Sequence, residues 1–181
     1  MQLQSAIQKR KSVKKYSKKK PDWRKIIEAI DSARYAPAAG NIFAQKFILI
    51  DDVSKIQKIA NESQQPFIAQ AQYVVAVCSD PKILTNSFDK RGELYMHQQA
   101  GAAIQNFLLS LTEQGLETTW VGHFYEKPIK TILKIPAKVE LEAIFPIGLK
   151  SKVKGTKTRQ RVKTDLDNII RFNDYKEEKM N

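Results

Sequence analysis

The ten residues Ala100-Gly101-Ala102-Ala103-Ile104-Gln105-Asn106-Phe107-Leu108-Leu109 constrain this chain more than any other stretch. They sit inside a helical segment expected to run from about Glu93 to Gln114, and small or apolar side chains occupy nearly its whole circumference. A helix with no polar face has no side to give to water, so it is buried on more than one side and needs packing partners on each. The segment is expected to stop at Gln114-Gly115, where glycine takes the left-handed position that closes a helix.

The other elements follow from apolar spacing. Trp23, Ile26, Ile27, Ile30 and Ala33 recur at three and four residues, which predicts an amphipathic helix over 23–35 capped by Asp22 and ended before Pro37. Lys46 to Ile50 reads as a strand, and 53–61 as a surface helix with Ile56, Ile59 and Ala60 on one face. The β-branched run Tyr73 to Cys78, ended by Asp80-Pro81, predicts a central strand buried on both faces, with Cys78 in the core. A short apolar segment from Thr118 to Gly122 follows the long helix. After it come a helix near 127–133, a strand near 141–147 carrying Pro146, a basic loop from Lys150 to Lys163, and a last short helix from Asp165. Helices alternating with three or four strands give an α+β or α/β layered fold. At 181 residues this is expected to be a single domain spanning 1–181.

Charge is distributed unevenly. Residues 9–25 hold ten Lys/Arg against one acid, and 150–163 hold seven against none, so these two stretches carry +16 of a net +12 and the rest of the chain is slightly acidic. Each stretch alone reads as a solvated tail or a polyanion patch; both converging on one anionic group is the sharper reading. Apolar runs fall far short of the roughly 20 residues a membrane span needs, and the first residues lack a secretory pattern, so a soluble, cytoplasmic protein is expected, with neither membrane nor nucleic acid among its partners. One cysteine excludes an intramolecular disulfide. His97 and His123 stand 26 residues apart, too few for a zinc cluster, and no metal is expected. There is no GxGxxG, GxxxxGK[ST], HExxH or GxSxG, and no carboxylate pair is spaced for acid/base work.

Four segments do resemble a known family. Ala6-Ile7-Gln8-Lys9-Arg10-Lys11-Ser12-Val13-Lys14-Lys15-Tyr16 resembles an RRSxRxF start, and Ala33-Arg34-Tyr35-Ala36-Pro37-Ala38-Ala39-Gly40-Asn41 is similar to ARxAPSAGN. Gln98 to Leu109 followed by Gly115-Leu116-Glu117-Thr118-Thr119-Trp120-Val121-Gly122 looks like QDAGAAIQNLLLxAxxLGLGTxWxG. Pro146-Ile147-Gly148 with Lys157-Thr158-Arg159 resembles the closing LGY and KxR. Together, in order, they are similar to the nitroreductase-like flavoproteins. That resemblance implies an α+β three-layer sandwich, a central mostly antiparallel sheet flanked by helices, and an intertwined homodimer binding FMN at the subunit interface.

The resemblance also implies roles. Arg10, Lys157 and Arg159 would take the FMN phosphate with support from Ser12, and Lys11 would stand close by. Paired guanidinium donors suit such a dianion. Lys14 and Gln64 would face the pyrimidine edge, and backbone groups of Val121 and Gly122 would lie near flavin N5. Pro37, Ala38, Ala39 and Asn41 would come from the second subunit. The implied activity is transfer of electrons from NADH or NADPH through FMN to a small electron-poor acceptor such as a nitroaromatic or quinone. The chain departs from the pattern at several places: Phe43-Ala44-Gln45 replaces the usual QPW, Ala38 the usual Ser, and Gln99 the usual Asp. The missing QPW keeps open an FMN dehydrogenase or oxidase with a dedicated substrate, and the surplus of basic residues keeps open a polyanion-binding protein with a degraded flavin pocket.

Overall fold

The computed structural model describes residues 2–151, 164–171 and 173–175. Four strands form one antiparallel sheet: β1 (Gln45–Ile50), β2 (Tyr73–Ser79), β3 (Leu116–Thr118) and β4 (Glu140–Leu149), in the order β1-β2-β4-β3. Six α-helices accompany it: α1 (Leu3–Lys9), α2 (Trp23–Ala33), α3 (Val53–Glu62), α4 (Pro81–Phe88), α5 (Lys90–Glu113) and α6 (Glu126–Leu133).

The two-residue period of a strand sorts the core into two layers. Tyr73, Val75 and Val77 of β2, with Ala143, Phe145 and Ile147 of β4, face α2 and α5. Val74, Ala76 and Cys78, with Ile144 and Leu141, face Ile56 and Ile59 of α3 and Ile129 of α6. Every residue of β2 is buried, as the unbroken apolar run predicts. The result is the expected α+β three-layer sandwich.

Burial raises the Cys78 thiol to about 11. The thiolate is the reactive form, so at pH 8 Cys78 is expected to react with a disulfide reagent at least about a hundredfold more slowly in the folded protein than in urea. Comparable rates in the two states would show that this face of the sheet is open to solvent.

Local signals placed the caps. The Asp22 carboxylate accepts from the Arg24 N–H, and Gly115 has φ +74° after α5. Pro146 in a central strand is accommodated by a gap in its neighbour. Ile144 donates its N–H to Val121, so Pro146, two residues on, turns its donorless nitrogen toward the same edge, where β3 pairing stops at Ile147. The gap is the stretch Thr119-Trp120.

Three features differ from expectation. Asp80-Pro81 does more than end β2: the Asp80 carboxylate accepts from the Lys82 N–H and Pro81 occupies the first turn of α4. A helix not foreseen from the sequence, α1, precedes the basic stretch and ends at its first residue, Lys9. The last expected helix is only a 3-10 turn, Leu166–Asn168. The long helix α5 packs by one stripe, Met96, Ala100, Ala103, Ile104, Phe107, Leu108 and Leu111, while Gly101, Ala102 and Leu109 on the other side are only half-buried by this chain. One chain therefore supplies half of the burial that its sequence demands.

Candidate functional site

The N-terminal segment after α1 is sewn to the sheet edge. Val13 N–H donates to Thr118 O at 2.9 Å, Ser17 N–H donates to Leu149 O at 2.9 Å, and Ser12 bridges Thr118 in parallel fashion. The buried Tyr16 hydroxyl donates to Val13 O at 2.7 Å. Burial, with the Glu117 carboxylate adding to it, raises the Tyr16 phenol and keeps it a neutral donor. Gly148 makes this docking fit, because a Cβ there would lie 2.9 Å from Tyr16 Cβ. Val13 and Tyr16 point inward onto Ala71, which leaves Ser12 and Lys14 exposed.

Contacts from this segment gather further candidates. Lys14 Nζ lies 4.8 Å from the centre of the Phe67 ring, a cation–π contact that holds the ammonium near the sheet edge. Phe67 belongs to the 3-10 turn that follows Gln64. Gln64, at φ +51°, donates from Nε2 to the Tyr125 hydroxyl at 3.2 Å. Val121 is buried and paired with Ile144, Gly122 is exposed, and the Trp120 ring stands 5.6 Å from Phe145. Ser12 thus lies beside the covered, unpartnered Thr118 Oγ1, Lys14 rests on Phe67, and Gln64 is tied to Tyr125. Lys11 lines a cleft of about 260 Å³ with Lys9, Glu117, Thr118 and Lys150, where burial raises the Glu117 carboxyl and the two lysines Lys11 and Lys150 oppose that rise. Lys157 and Arg159 lie outside the described residues.

Pro37, Ala38, Ala39 and Asn41 form a second group. Gly40 and Asn41 both take left-handed backbone, φ +59° and +58°, which folds the loop into a tight 3-10 turn. Glycine and asparagine tolerate that region best. The turn is braced from α5. Gln99 Oε1 accepts from the Ala39 N–H at 3.2 Å, while Gln99 Nε2 donates to Ile42 O at 3.3 Å and to Gln45 Oε1 at 3.0 Å. Gln45 Nε2 in turn donates to Ser79 Oγ at 3.3 Å and Met96 O at 3.2 Å. The departures from the family pattern at Gln45 and Gln99 are therefore partners. A carboxylate at 99 could accept from Ala39 but could donate to neither Ile42 nor Gln45. Sequence reading singled out both residues as deviations without pairing them. In front of the braced turn, Pro37, Ala38 and Ala39 line an open groove of about 360 Å³ with Tyr95, Gln98 and Ala102.

The hydrogen bonds and ring contacts given above join residues within each group, and none of them joins one group to the other. Among the described residues the family's candidate positions thus rest on two supports, the basic segment laid on the β3–β4 edge and the turn braced by α5. A family model described as the nitroreductase family matches residues 7–65 and 57–149, and the chain belongs to that family.

A relative from Archaeoglobus fulgidus, provisionally named an NADH dehydrogenase/NAD(P)H nitroreductase, is 25% identical over 144 residues, covering 77% of this chain and 80% of that protein. The crystal structure of a nitroreductase family protein from Clostridium novyi NT matches with a TM-score of 0.77 at 26% identity, over 93% of this chain and 91% of that one. Oxidized iodotyrosine deiodinase, solved bound to FMN and 3-iodo-L-tyrosine, matches with a TM-score of 0.77 over 96% of this chain and 100% of that one, and at 22% identity the likeness is one of fold. Among the described residues no helix is long and apolar enough to cross a membrane.

Proposed function

We propose that this chain is an FMN-dependent oxidoreductase that works as a homodimer. What supports the reading is that the family's candidate residues rest on two supports, the basic segment on the sheet edge and the turn braced by α5, which a homodimer would bring together. The donor set fits the cofactor: Arg10, Ser12, Lys157 and Arg159 are the residues that would take the phosphate, and the buried Thr118 Oγ1 beside Ser12 has no hydrogen-bond partner. When bound, FMN takes hydride from NADH or NADPH and passes electrons to an electron-poor acceptor, a nitroaromatic or quinone.

The protein supplies binding and electrostatics. Lys14, held over Phe67, places positive charge toward the pyrimidine edge. Gln64 offers its amide there, and the Val121-Gly122 backbone lines the reactive side. The turn at Pro37, Ala38, Ala39 and Asn41 closes the pocket from the other subunit. The half-buried face of α5 at Gly101, Ala102 and Leu109 is the dimer seam, where a Cβ at Gly101 would meet nothing of its own chain within 4 Å and the surface is open to a partner.

Reconstitution with excess FMN followed by gel filtration with light scattering tests both parts. A yellow dimer is expected, and a colourless monomer sinks the reading. In fluorescence titration, Arg10→Ala is expected to weaken FMN about ten- to a hundredfold, the loss of one charge-assisted hydrogen bond, while Lys18→Ala has only a small, salt-screened effect. Equal losses that vanish together at high salt would favour the polyanion-binding protein instead. A dedicated substrate is the second enzyme reading, favoured by the Gln45 and Gln99 pairing in place of the usual residues. Failure of the reduced, FMN-loaded protein to be reoxidised by quinones or nitroaromatics would support it.

A further inference from the structure

Two histidines and one cysteine led the sequence reading to expect no metal, but the fold adds carboxylates that a count of His and Cys leaves out. Glu93 and His97 stand one turn apart on α5, and the start of strand β4 brings Glu140 and Glu142 against them. His97 Nδ1 lies 3.1 Å from Glu142 Oε2 and 3.2 Å from Glu142 Oε1. An ionised carboxylate can only accept, so this contact puts the ring proton on Nδ1. In the neutral ring Nε2 then carries a lone pair, and it faces Glu140 Oε2 at 3.5 Å. Two acceptors turned toward each other repel unless a positive charge, a metal ion or a proton, lies between them. Glu93 supplies a third donor, and the donor atoms of Glu93, His97 and Glu140 all lie within 4.8 Å of one another.

We propose that Glu93, His97 and Glu140 bind a first-row divalent cation, with Zn²⁺ the best-matched probe, and that Glu142 orients the imidazole. The imidazole nitrogen sets the class: Mg²⁺ and Ca²⁺ take oxygen ligands, whereas mixed nitrogen and carboxylate donors suit zinc and its neighbours. Donors at about 2.0–2.2 Å from one ion stand about 3.4 Å apart in a tetrahedron, so the side chains must draw in by about an ångström. The exposed Glu93 has the rotamer freedom to do so. Glu142 is largely covered, with its side chain 13% exposed, and is the fixed member that presets the ring. A ligated imidazole whose other nitrogen is held by a carboxylate is the usual arrangement around such ions. The ion would tie α5 to the start of β4. It leaves an open coordination position toward solvent, and it does not depend on the flavin reading.

The competing occupant is a proton, which would make His97 an imidazolium between Glu140 and Glu142. Calorimetric titration of the chelator-treated, full-length protein with ZnCl₂ in a weakly coordinating buffer separates the two. One ion per chain at micromolar affinity or tighter is expected, weakened about a hundredfold by His97→Ala and about ten- to a hundredfold by Glu142→Gln, and unchanged by His123→Ala. Cobalt loading should give visible ligand-field absorption that His97→Ala removes. If His97→Ala does not fold, Glu93→Gln with its own titration takes its place. No uptake, or uptake that these variants leave intact, overturns the proposal.

Discussion

Replacing Phe107 with alanine is expected to lower stability by about 3–5 kcal/mol, the range for emptying a large aromatic site in a core. Phe107 is fully buried and links three elements: its ring centre lies 5.7 Å from Phe47 on β1 and 5.6 Å from Phe145 on β4, while its backbone belongs to α5. The cavity would open between the helix layer and the sheet, where neither can collapse without changing its twist. Urea denaturation at one fixed protein concentration is the measurement. The midpoint should fall with little change in slope, and melting should drop by about 2–4 °C for each kcal/mol. Because Phe145 also meets Trp120 at 5.6 Å, the change should be felt at Val121 and Gly122. A loss under about 1 kcal/mol would mean that this aromatic triad does not hold the two layers together.

Gln99→Leu should cost about 2–4 kcal/mol, since it strands the Ala39 N–H, the Ile42 carbonyl and Gln45 Oε1, each worth about 1–3 kcal/mol when buried without a partner and less where water reaches. Gln99→Asp should be no milder: it keeps the acceptor for Ala39 but sets a carboxylate against Gln45 Oε1, 3.0 Å from the present Gln99 donor. A double-mutant cycle with Gln45→Leu isolates the pair, with a coupling of about 0.5–3 kcal/mol expected. On the flavin reading, Gln99→Leu also weakens FMN, because the turn that closes the partner's pocket loses its brace. Additive losses would show that the two glutamines act separately and that their joint departure from the family pattern has no structural basis.

The cysteine, dimer and metal tests probe regions that these two variants leave alone. Cys78 reports on the α3 and α6 side of the sheet, whereas Phe107 reports on the α2 and α5 side. A change confined to one probe would locate the damage to one layer.

What the sequence determined by itself was everything written in short-range pattern. The helix at Trp23–Ala33, the strand at Tyr73–Ser79 and the helix at Glu126–Leu133 follow from spacing and caps within a few residues. The order of four local motifs was enough to identify the family. Even short-range reading missed α4, because Asp-Pro both stops a strand and starts a helix, and only the packing of Leu84 shows which role continues. Tertiary structure alone decided which distant residues meet. Gln45 meets Gln99 across 54 residues and His97 meets Glu142 across 45, and neither pairing leaves a periodic trace in the chain. Gly148 shows the same limit: its motif was legible, but its purpose, making room for Tyr16, exists only once the N-terminal segment lies on β4. Such contacts are fixed by sheet register and by how α5 crosses the strands, and these depend on burying the whole core at once.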